Sequence, residues 1–409
     1  MEFNQERFLK ILSELISKTK YLQNSPKHTP REDEAVNVEL KSLKPYKKTL
    51  EIEKLTYVNG RSNLIIKYKG TTNKNIAFIG SHLDVVPADP KKWNFDPFKL
   101  TIKGDELYGR GTTDCLGHIA LLTELFIQLS ENKPKLKQTI VVVFIASEEY
   151  FIKGIGIDQI YKKGKLEFLK NSPCYWLDSA DYGPTTGSKG TGIWTLKVKG
   201  LSSHSGYPEN GVNAITLGNE TLRKLKEYFY SKYKITKEDK KYIGFTDPTL
   251  SETWIEPSNT GTNIIPEEYL IKGDLRLTPS YNMEEVAKDL KRFVSKINLK
   301  NIPTDINQDF SKGSVEFIYE GGHGGFKANL NSNTYKFCKQ AIEEIHGSSN
   351  TLASNGGLPL VDKLSEKGYD LLAMGFGRED KYHKDNESCR LSDMKKGFKI
   401  LLRIIDLFE

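Results

Sequence analysis

The segment NIAFIGSHLD, at residues 75–84, begins as a short apolar run typical of a buried strand and ends on a histidine and an acid. Similar runs are TIVVVFIA at 139–146, CYWL at 174–177 and DLLAMGF at 370–376. The stretches with helical periodicity are CLGHIALLTELFIQLSE, TYKFCKQAIEEIHG and MKKGFKILLRIIDLF. Apolar strands that alternate with helices indicate an α/β domain whose central sheet is mixed, mostly parallel and flanked by helices.

Two shorter signals predict local structure before the first of these strands. Asn59-Gly60 lies between LEIEKLTYV and NLIIKYKG and predicts a tight β-hairpin. Thr29-Pro30-Arg31-Glu32 has the form of a capping box with proline at the first helical position, so we expect a helix to begin there.

The middle of the chain has a different pattern. GTGIWTLKVKG and NIIPEEYLIKGDLRL are long strands with alternating polarity, and each is followed by a helical segment. This pattern predicts a β-α-β-β-α-β layer in which one face of the sheet is exposed to solvent, that is, a smaller α+β, ferredoxin-like domain. We place this insert at residues 188–321, where it would interrupt a catalytic domain built from 1–187 and 322–409.

Composition limits the classes of function. The chain has 409 residues, 28% of them charged and 11% aromatic, which suits a folded protein of two or three domains. No apolar run approaches the roughly 20 residues of a membrane helix, so we expect no integral membrane protein. The net charge of +7 comes from basic residues that alternate with acidic ones, which favours a solvated surface over a nucleic-acid groove.

The four cysteines are far apart and form no CxxC pair. The N-terminal segment MEFNQERFLKILSELISKTK is an amphipathic helix pattern and lacks the features of a secretory signal. Free thiols in the cytoplasm are therefore the expectation.

Acids and histidines follow each of the four strands. The residues are His82 and Asp84, Glu148 and Glu149, Asp178, and, after a short loop, His383; Asp114 precedes a helix in GRGTTDCLGH. Ligands of open α/β sheets bind beyond the carboxyl ends of the strands, so these groups can converge. Imidazoles and carboxylates suit zinc, and also cobalt or manganese, and the set is large enough for two metals that share one bridging carboxylate.

Spacing suggests separate tasks within this set. Residues two apart on an extended segment face the same way, so Asp84 can orient His82 through its second ring nitrogen. The adjacent acids Glu148 and Glu149 point to opposite sides of an extended chain, so that one can bind metal while the other acts as general base.

The segments SHLDVVP, GRGTTDCLGH and SEE, together with the late histidine, resemble the di-zinc aminoacylase and carboxypeptidase family over nearly the whole chain. The resemblance implies a catalytic α/β domain interrupted by a lid domain that is often used for dimerisation. It implies two zinc ions per chain. It assigns Asp114 as their bridge, His82 and Asp178 to one ion, Glu149 and His383 to the other, Glu148 as general base and Asp84 as the support of His82.

Two positions depart from the family pattern. The family commonly has a glutamate where this chain has Asp178, and Asp181 is a competitor; counting back from Ser188-Lys189-Gly190 favours Asp178. The bridging Asp114 is followed by Cys115 rather than methionine, and a packed side chain is the expected role of Cys115. Relatives also imply that the Asp114–Cys115 peptide is cis.

The resemblance also implies roles for residues of the insert and of a late loop. His204 would stabilise the oxyanion, commonly in the partner subunit's active site. Asn263 and Arg276 would hold the substrate carboxylate, and Gly356 lies in a loop that resembles the family's glycine-rich substrate loop.

Within this family, the chain most resembles the acetylornithine deacetylase group. The segments that carry this resemblance are LYGRGTTDCLGHIALLTELF, YWLDSAD and ASNGGLPL. This implies hydrolysis of N-acetyl-L-ornithine to ornithine and acetate, as in arginine synthesis. A dipeptidase or another N-acyl amino acid hydrolase is the alternative, and a binding module that has lost catalysis is a remote one. The expected partners are a small N-acylated amino acid and a second copy of the chain, without nucleic acid or membrane.

Overall fold

A computed structural model describes residues 1–257, 261–304 and 308–409. The chain divides into two compact units. The first unit comprises Met1–Thr186, Ala328–Leu352 and Lys363–Glu409, and the second comprises Gly187–Lys327 and Ala353–Asp362. The second unit thus ends later than the predicted insert of 188–321, and it also takes in residues 353–362, which the sequence pattern assigned to the flanking domain.

Helices and strands occur in both units. The helices are α1 (Gln5–Ile16), α2 (Thr19–Leu22), α3 (Asp33–Leu43), α4 (Leu116–Asn132), α5 (Ile157–Lys162), α6 (Ala214–Lys232), α7 (Met283–Ser295), α8 (Asn333–His346), α9 (Val361–Glu366) and α10 (Leu391–Phe408). The strands are β1 (Leu50–Val58), β2 (Arg61–Tyr68), β3 (Asn75–His82), β4 (Thr101–Lys103), β5 (Glu106–Tyr108), β6 (Thr139–Ile145), β7 (Pro173–Leu177), β8 (Tyr182–Ser188), β9 (Gly190–Lys199), β10 (Ser203–His204), β11 (Thr249–Pro257), β12 (Ile264–Ile265), β13 (Glu268–Leu277), β14 (Ser314–His323), β15 (Phe326–Lys327), β16 (Leu352–Ser354), β17 (Asp370–Gly375) and β18 (Ser388–Arg390).

The large sheet of the first unit is mixed, as predicted. Its strands follow the order β1-β2-β6-β3-β7-β17-β8. The four central strands, β6, β3, β7 and β17, pair in parallel, whereas β1, β2 and β8 pair antiparallel to their neighbours. The carboxyl ends of the four parallel strands therefore lie side by side at one edge.

Burial explains why these runs form the centre of the sheet. Ile140 to Ile145 of β6 are fully buried, which fits a strand covered on both faces. Helix α4 is buried over nearly all of its length, which fits a helix that is apolar all round. Gly80 of β3 has φ +88, and a Cβ there would lie 2.3 Å from the Trp176 indole, so only glycine fits between the two strands.

The two local predictions differ in outcome. The hairpin is confirmed: β1 and β2 pair antiparallel around Asn59-Gly60, and Gly60 has φ +78. The predicted helix start at Thr29-Pro30 is wrong, since α3 begins at Asp33. Glu32 does not serve as the acid of a capping box, because its buried carboxylate accepts hydrogen bonds from Arg61, with the Nε donor at 2.9 Å.

The second unit has the predicted ferredoxin-like arrangement. Its elements run β9-α6-β11-β13-α7-β14, and its four-stranded antiparallel sheet has the order β11-β13-β9-β14. The side chains of Asn213 and Asn282 cap α6 and α7. The run NIIPEEYLIKGDLRL is not one strand but two, β12 and β13, because Pro266 between them has no N–H for a strand ladder.

Across the described residues, we find no helix with both the length and the apolar character needed to cross a membrane.

Candidate metal centre at the carboxyl edge of the sheet

The predicted metal-binding residues lie around the carboxyl ends of the four parallel strands. His82 is the last residue of β3, and Asp178 directly follows β7. Glu148 and Glu149 follow β6 after a two-residue turn, while His383 lies in the loop after β17. Asp114 lies just before α4. The topology thus explains how residues spread over three hundred positions of sequence come together.

Asp114 lies between two histidines. Its Oδ1 is 2.9 Å from His82 Nε2, and its Oδ2 is 3.0 Å from His383 Nε2. His383 Nε2 is also 3.0 Å from Glu149 Oε2. The ligand atoms of His82, Asp114 and Glu149 all lie within 4.8 Å of one another. One carboxylate therefore faces two imidazoles, which is the arrangement that a bridge between two cations requires.

Asp178 and Glu148 face the same ring nitrogen of His82. Asp178 Oδ1 is 3.8 Å and Glu148 Oε2 is 3.9 Å from His82 Nε2. Oδ1 of Asp178 is buried without a hydrogen-bond partner, as expected of an oxygen placed to bind a cation. Its competitor Asp181 is exposed, and its backbone N–H donates to Gly377 O at 3.0 Å.

Asp84 supports the site differently from the expectation. His82 Nδ1 pairs with the backbone oxygen of Asp84 at 2.9 Å, whereas the nearest carboxylate oxygen of Asp84 is 3.7 Å away. The carboxylate instead accepts hydrogen bonds from the backbone N–H groups of Glu148 and Glu149 and from Asn24 Nδ2. The backbone of Asp84 therefore orients the imidazole, and its side chain holds the turn that carries the two glutamates.

Cys115 lies directly behind His82. Its Sγ accepts a hydrogen bond from His82 N at 2.9 Å, and burial raises the pKa of the thiol. The Asp114–Cys115 peptide bond is cis. Sγ also lies within 4.8 Å of ligand atoms of His82 and Asp178.

The electrostatics of the cluster call for added positive charge. Burial, together with the neighbouring carboxylates, raises the pKa values of Glu148, Glu149 and Asp178 each to about 8, although the imidazoles oppose the rise. Hydrogen bonds to Asp114 and Glu149 raise the pKa of His383 to about 11. Because buried acids outnumber the imidazoles, a bound cation would relieve their repulsion. The nitrogen and oxygen donors of this set fit a zinc-like ion.

In the second unit, the structure brings His204 and Asn263 together. His204 of β10 pairs with Ile264 of β12, next to Asn263. The N–H of Ser205 donates to Asn263 O at 3.0 Å, and Nδ1 of the exposed His204 accepts from Gly206 N at 2.9 Å. The His204 ring is thus held by its own loop and turned to solvent.

Arg276 and Gly356 lie elsewhere in this unit. Arg276 is near the end of β13, opposite Thr191 of β9, and its Nε donates to Asp274 at 2.6 Å. The exposed Gly356 donates its N–H to Ser354 Oγ at 3.0 Å. A strand spans about 3.3 Å per residue, so the stretch of β13 from Glu268 to Arg276 measures about 26 Å. The β10-β12 pair that carries His204, with Asn263 next to it, adjoins the Glu268 end of β13, which is opposite the Arg276 end.

Sequence reasoning missed two buried acids beside the site. Glu387 accepts hydrogen bonds from the backbone of the Asp114 loop, and Glu32 Oε1 accepts one from Ser147 N at 3.2 Å. Both act on backbone N–H groups, which leave no pattern in side-chain types. The one available signal for Glu32 was its place in the supposed capping box.

Comparisons with known proteins agree with this geometry. A protein of Dictyostelium discoideum named acetylornithine deacetylase is 43% identical, over 100% of this chain and 98% of its own length. An Arabidopsis thaliana protein of the same name is 39% identical, over 99% of this chain and 96% of its own length. An M20 family metallo-carboxypeptidase from Sulfolobus solfataricus has a similar fold, with a TM-score of 0.76 and 18% identity over 98% of this chain and 99% of its own.

The profile described as peptidase family M20/M25/M40 matches residues 78–407. This range contains His82, Asp114 and His383, together with every other residue of the carboxylate cluster at the sheet edge. The chain therefore belongs to peptidase family M20/M25/M40 and is a metal-dependent amide hydrolase.

Proposed function

We propose that this protein hydrolyses N-acetyl-L-ornithine to L-ornithine and acetate. Two relatives that bear the name of this activity match the chain over nearly its whole length. The single observation that carries the hydrolytic chemistry is the position of Asp114, whose two carboxylate oxygens face His82 and His383.

We propose two zinc ions as the cofactor, for which cobalt or manganese could substitute. His82 and Asp178 would hold one ion, Glu149 and His383 the other, and Asp114 would bridge them. When bound, the ions supply a Lewis acid for the amide carbonyl and lower the pKa of the attacking water. The unpartnered Oδ1 of Asp178 supports this assignment.

Glu148 is the proposed general base. Its carboxylate lies 3.9 Å from His82 Nε2, beside the cluster but outside its closest contacts. It takes one proton from the attacking water as the oxygen bonds to the acetyl carbon. It then gives that proton to the ornithine nitrogen as the C–N bond breaks. The second proton of the water passes from the acetic acid product to the released amine, so the final products are acetate and the ammonium form of ornithine.

The proposed substrate contacts lie in the second unit. The guanidinium of Arg276 is oriented by its bond to Asp274, and such a fork suits the substrate carboxylate. Gly356 would let the substrate approach the backbone of its loop closely. Asn263 would contact the same carboxylate, and His204 would donate a hydrogen bond to the oxyanion.

The distance between these contacts supports a homodimer. Because Arg276 lies at the other end of the sheet from His204 and Asn263, one small substrate cannot contact all three residues of one second unit. In a dimer, one protomer would supply Arg276 and its partner the other two. Strand β11 is an edge strand of the sheet, and its Trp254 and Ile255 are 44% and 58% exposed, as expected of a surface that pairs with a second copy.

A substrate panel tests the activity. Purified protein loaded with zinc or cobalt is assayed with N-acetyl-L-ornithine, other N-acetyl amino acids and dipeptides. We expect the highest kcat/KM with acetylornithine. A clear preference for dipeptides would contradict the substrate assignment and favour a dipeptidase.

Mixed dimers test the role of His204. Glu148→Gln and His204→Ala are each expected to be inactive alone. If His204 acts across the dimer, a mixture of the two re-equilibrated proteins regains activity, because one site of each mixed dimer is intact. Absence of recovery, with the mixed dimers detected by native mass spectrometry, would place His204 in its own protomer's site.

We also propose the cytoplasm as the compartment, which suits four free, buried thiols.

A further inference from the structure

The buried carboxylate of Glu387 accepts four hydrogen bonds from the loop that carries Asp114. Oε2 accepts from Arg110 Nη1 at 2.7 Å and from Gly111 N at 2.9 Å. Oε1 accepts from Thr113 N at 2.8 Å and from Asp114 N at 3.0 Å. Each carboxylate oxygen of Glu387 therefore accepts two hydrogen bonds, and one of the four donors is the backbone N–H of the proposed bridge, Asp114.

Two further bonds join the same segments. Gly109 N donates to the backbone oxygen of Glu387 at 3.1 Å, and Thr113 Oγ1 donates to Ser388 O at 2.7 Å. Glu387 lies only four residues beyond His383. The contacts thus connect the loop that carries Asp114 to the segment that carries His383.

The chemistry of these contacts requires an anion. All four partners of the side chain are N–H donors, and buried donors without acceptors are costly. Burial raises the pKa of Glu387, but the charge of Arg110 and the backbone bonds oppose the rise. The Arg110 guanidinium is itself held 5.1 Å from the centre of the Trp93 ring. A glutamine at position 387 would direct an NH₂ group at two of the four donors.

We propose that Glu387 is a positioning residue that fixes Asp114 relative to His383 and so sets the geometry of the metal pair. The proposal rests on the metal centre proposed above. It assigns to Glu387 no contact with substrate or metal; the residue acts through the backbone N–H of Asp114. Its loss should loosen the bridge between the two ions.

The test is a cobalt titration of the full chain with and without Glu387→Gln. Wild-type protein should bind about two Co²⁺ ions per chain with a defined visible spectrum. In Glu387→Gln we expect the affinity for the second ion to fall by about 10–100-fold and the visible bands to change. Glu39→Gln is the matched control, because Glu39 is another buried acid and its hydrogen-bond partner is Thr123 of α4.

A milder variant keeps the test valid if Glu387→Gln folds poorly. Thr113→Val removes one hydrogen bond between the two segments and should lower the affinity for the second Co²⁺ ion by a smaller factor. Unchanged cobalt affinity and spectrum in the folded variants would overturn the proposal, even if their melting temperatures fall, since that result indicates a structural role alone. Wild-type protein that takes up no cobalt would overturn the metal centre as well.

Discussion

The carboxylate of Asp84 accepts a hydrogen bond from the backbone N–H of Glu148, with donor distances of 3.2 and 3.1 Å to its two oxygens. The N–H of Glu149 donates to the same carboxylate at 3.0 Å, and Asn24 Nδ2 does so at 2.7 Å. At the same time the backbone oxygen of Asp84 pairs with His82 Nδ1. One residue therefore fixes both a proposed metal ligand and the proposed base.

Replacement of Asp84 should impair the site without removing a metal ligand. In Asp84→Asn, the amide NH₂ would face backbone donors, and the turn of Glu148 and Glu149 would shift. We expect kcat to fall by about 10–100-fold, as for other residues that orient a metal site. The control is Asp89→Asn, because Asp89 is exposed and accepts a local bond from Lys91 N. Equal activity of both variants would contradict this role.

Glu148 and Glu149 should separate in their effects on metal and on turnover. Glu148→Gln removes the proposed base, so kcat should fall by at least about 10²-fold while both ions stay bound. Glu149→Gln removes a ligand that lies 3.0 Å from His383 Nε2, so it should bind less metal per chain. Metal analysis after dialysis and an activity assay on the same samples measure both. Normal activity of Glu148→Gln would show that another group is the base.

Asp178 and Asp181 form a matched pair for the remaining ligand. Asp178 Oδ1 is buried and 3.8 Å from His82 Nε2, whereas Asp181 is exposed. Asp178→Asn should weaken the binding of one ion, so that metal content falls from about two ions per chain toward one and activity falls by about 10–100-fold or more. Asp181→Asn should keep both near the wild-type level. The reverse result would assign Asp181 as the ligand.

The fold was predictable where one local signal decides it. The four apolar runs form the parallel strands, because their short length and β-branched residues suit strands that are covered on both faces, and Asn59-Gly60 forms the hairpin turn. The start of α3 was not predictable, because the carboxylate of Glu32 accepts hydrogen bonds from Arg61 instead of capping a helix. Arg61 lies nearly thirty residues away in the sequence, so the local pattern does not show this contact. Pro266 was visible in the sequence, yet the alternating pattern around it outweighed its effect on the strand.

The candidate site follows the same division. The positions of the acids and histidines just after the strands predicted that they would meet at the carboxyl edge of the sheet, because the topology of parallel strands brings their ends together there. The detailed use of Asp84 was not predictable, since residue spacing does not distinguish its carboxylate from its backbone oxygen as the partner of His82. Glu387 carries no motif at all, since its partners are mostly backbone N–H groups.

The buried acid Glu39 should make stability depend on pH. Burial raises the pKa of Glu39 to about 8, although Thr123 Oγ1 donates to it. An unfolded glutamate loses its proton near pH 4.3. Between about pH 4.5 and 8, the folded state therefore binds more protons than the unfolded state, and the free energy of unfolding should fall as pH rises. This contribution has a slope of about 1.4 kcal/mol per pH unit within that window.

Glu39→Gln removes this titration while keeping the shape of the side chain. Its melting temperature should match that of wild type below about pH 4.5 and exceed it increasingly up to about pH 8, because the neutral amide has no proton to lose. Thermal unfolding of both proteins at pH 5 and pH 8 measures the difference. Glu2→Gln, at an exposed glutamate, serves as the control and should follow wild type at both pH values. If Glu39→Gln and wild type lose stability in parallel between the two pH values, Glu39 is not the group whose titration makes stability depend on pH.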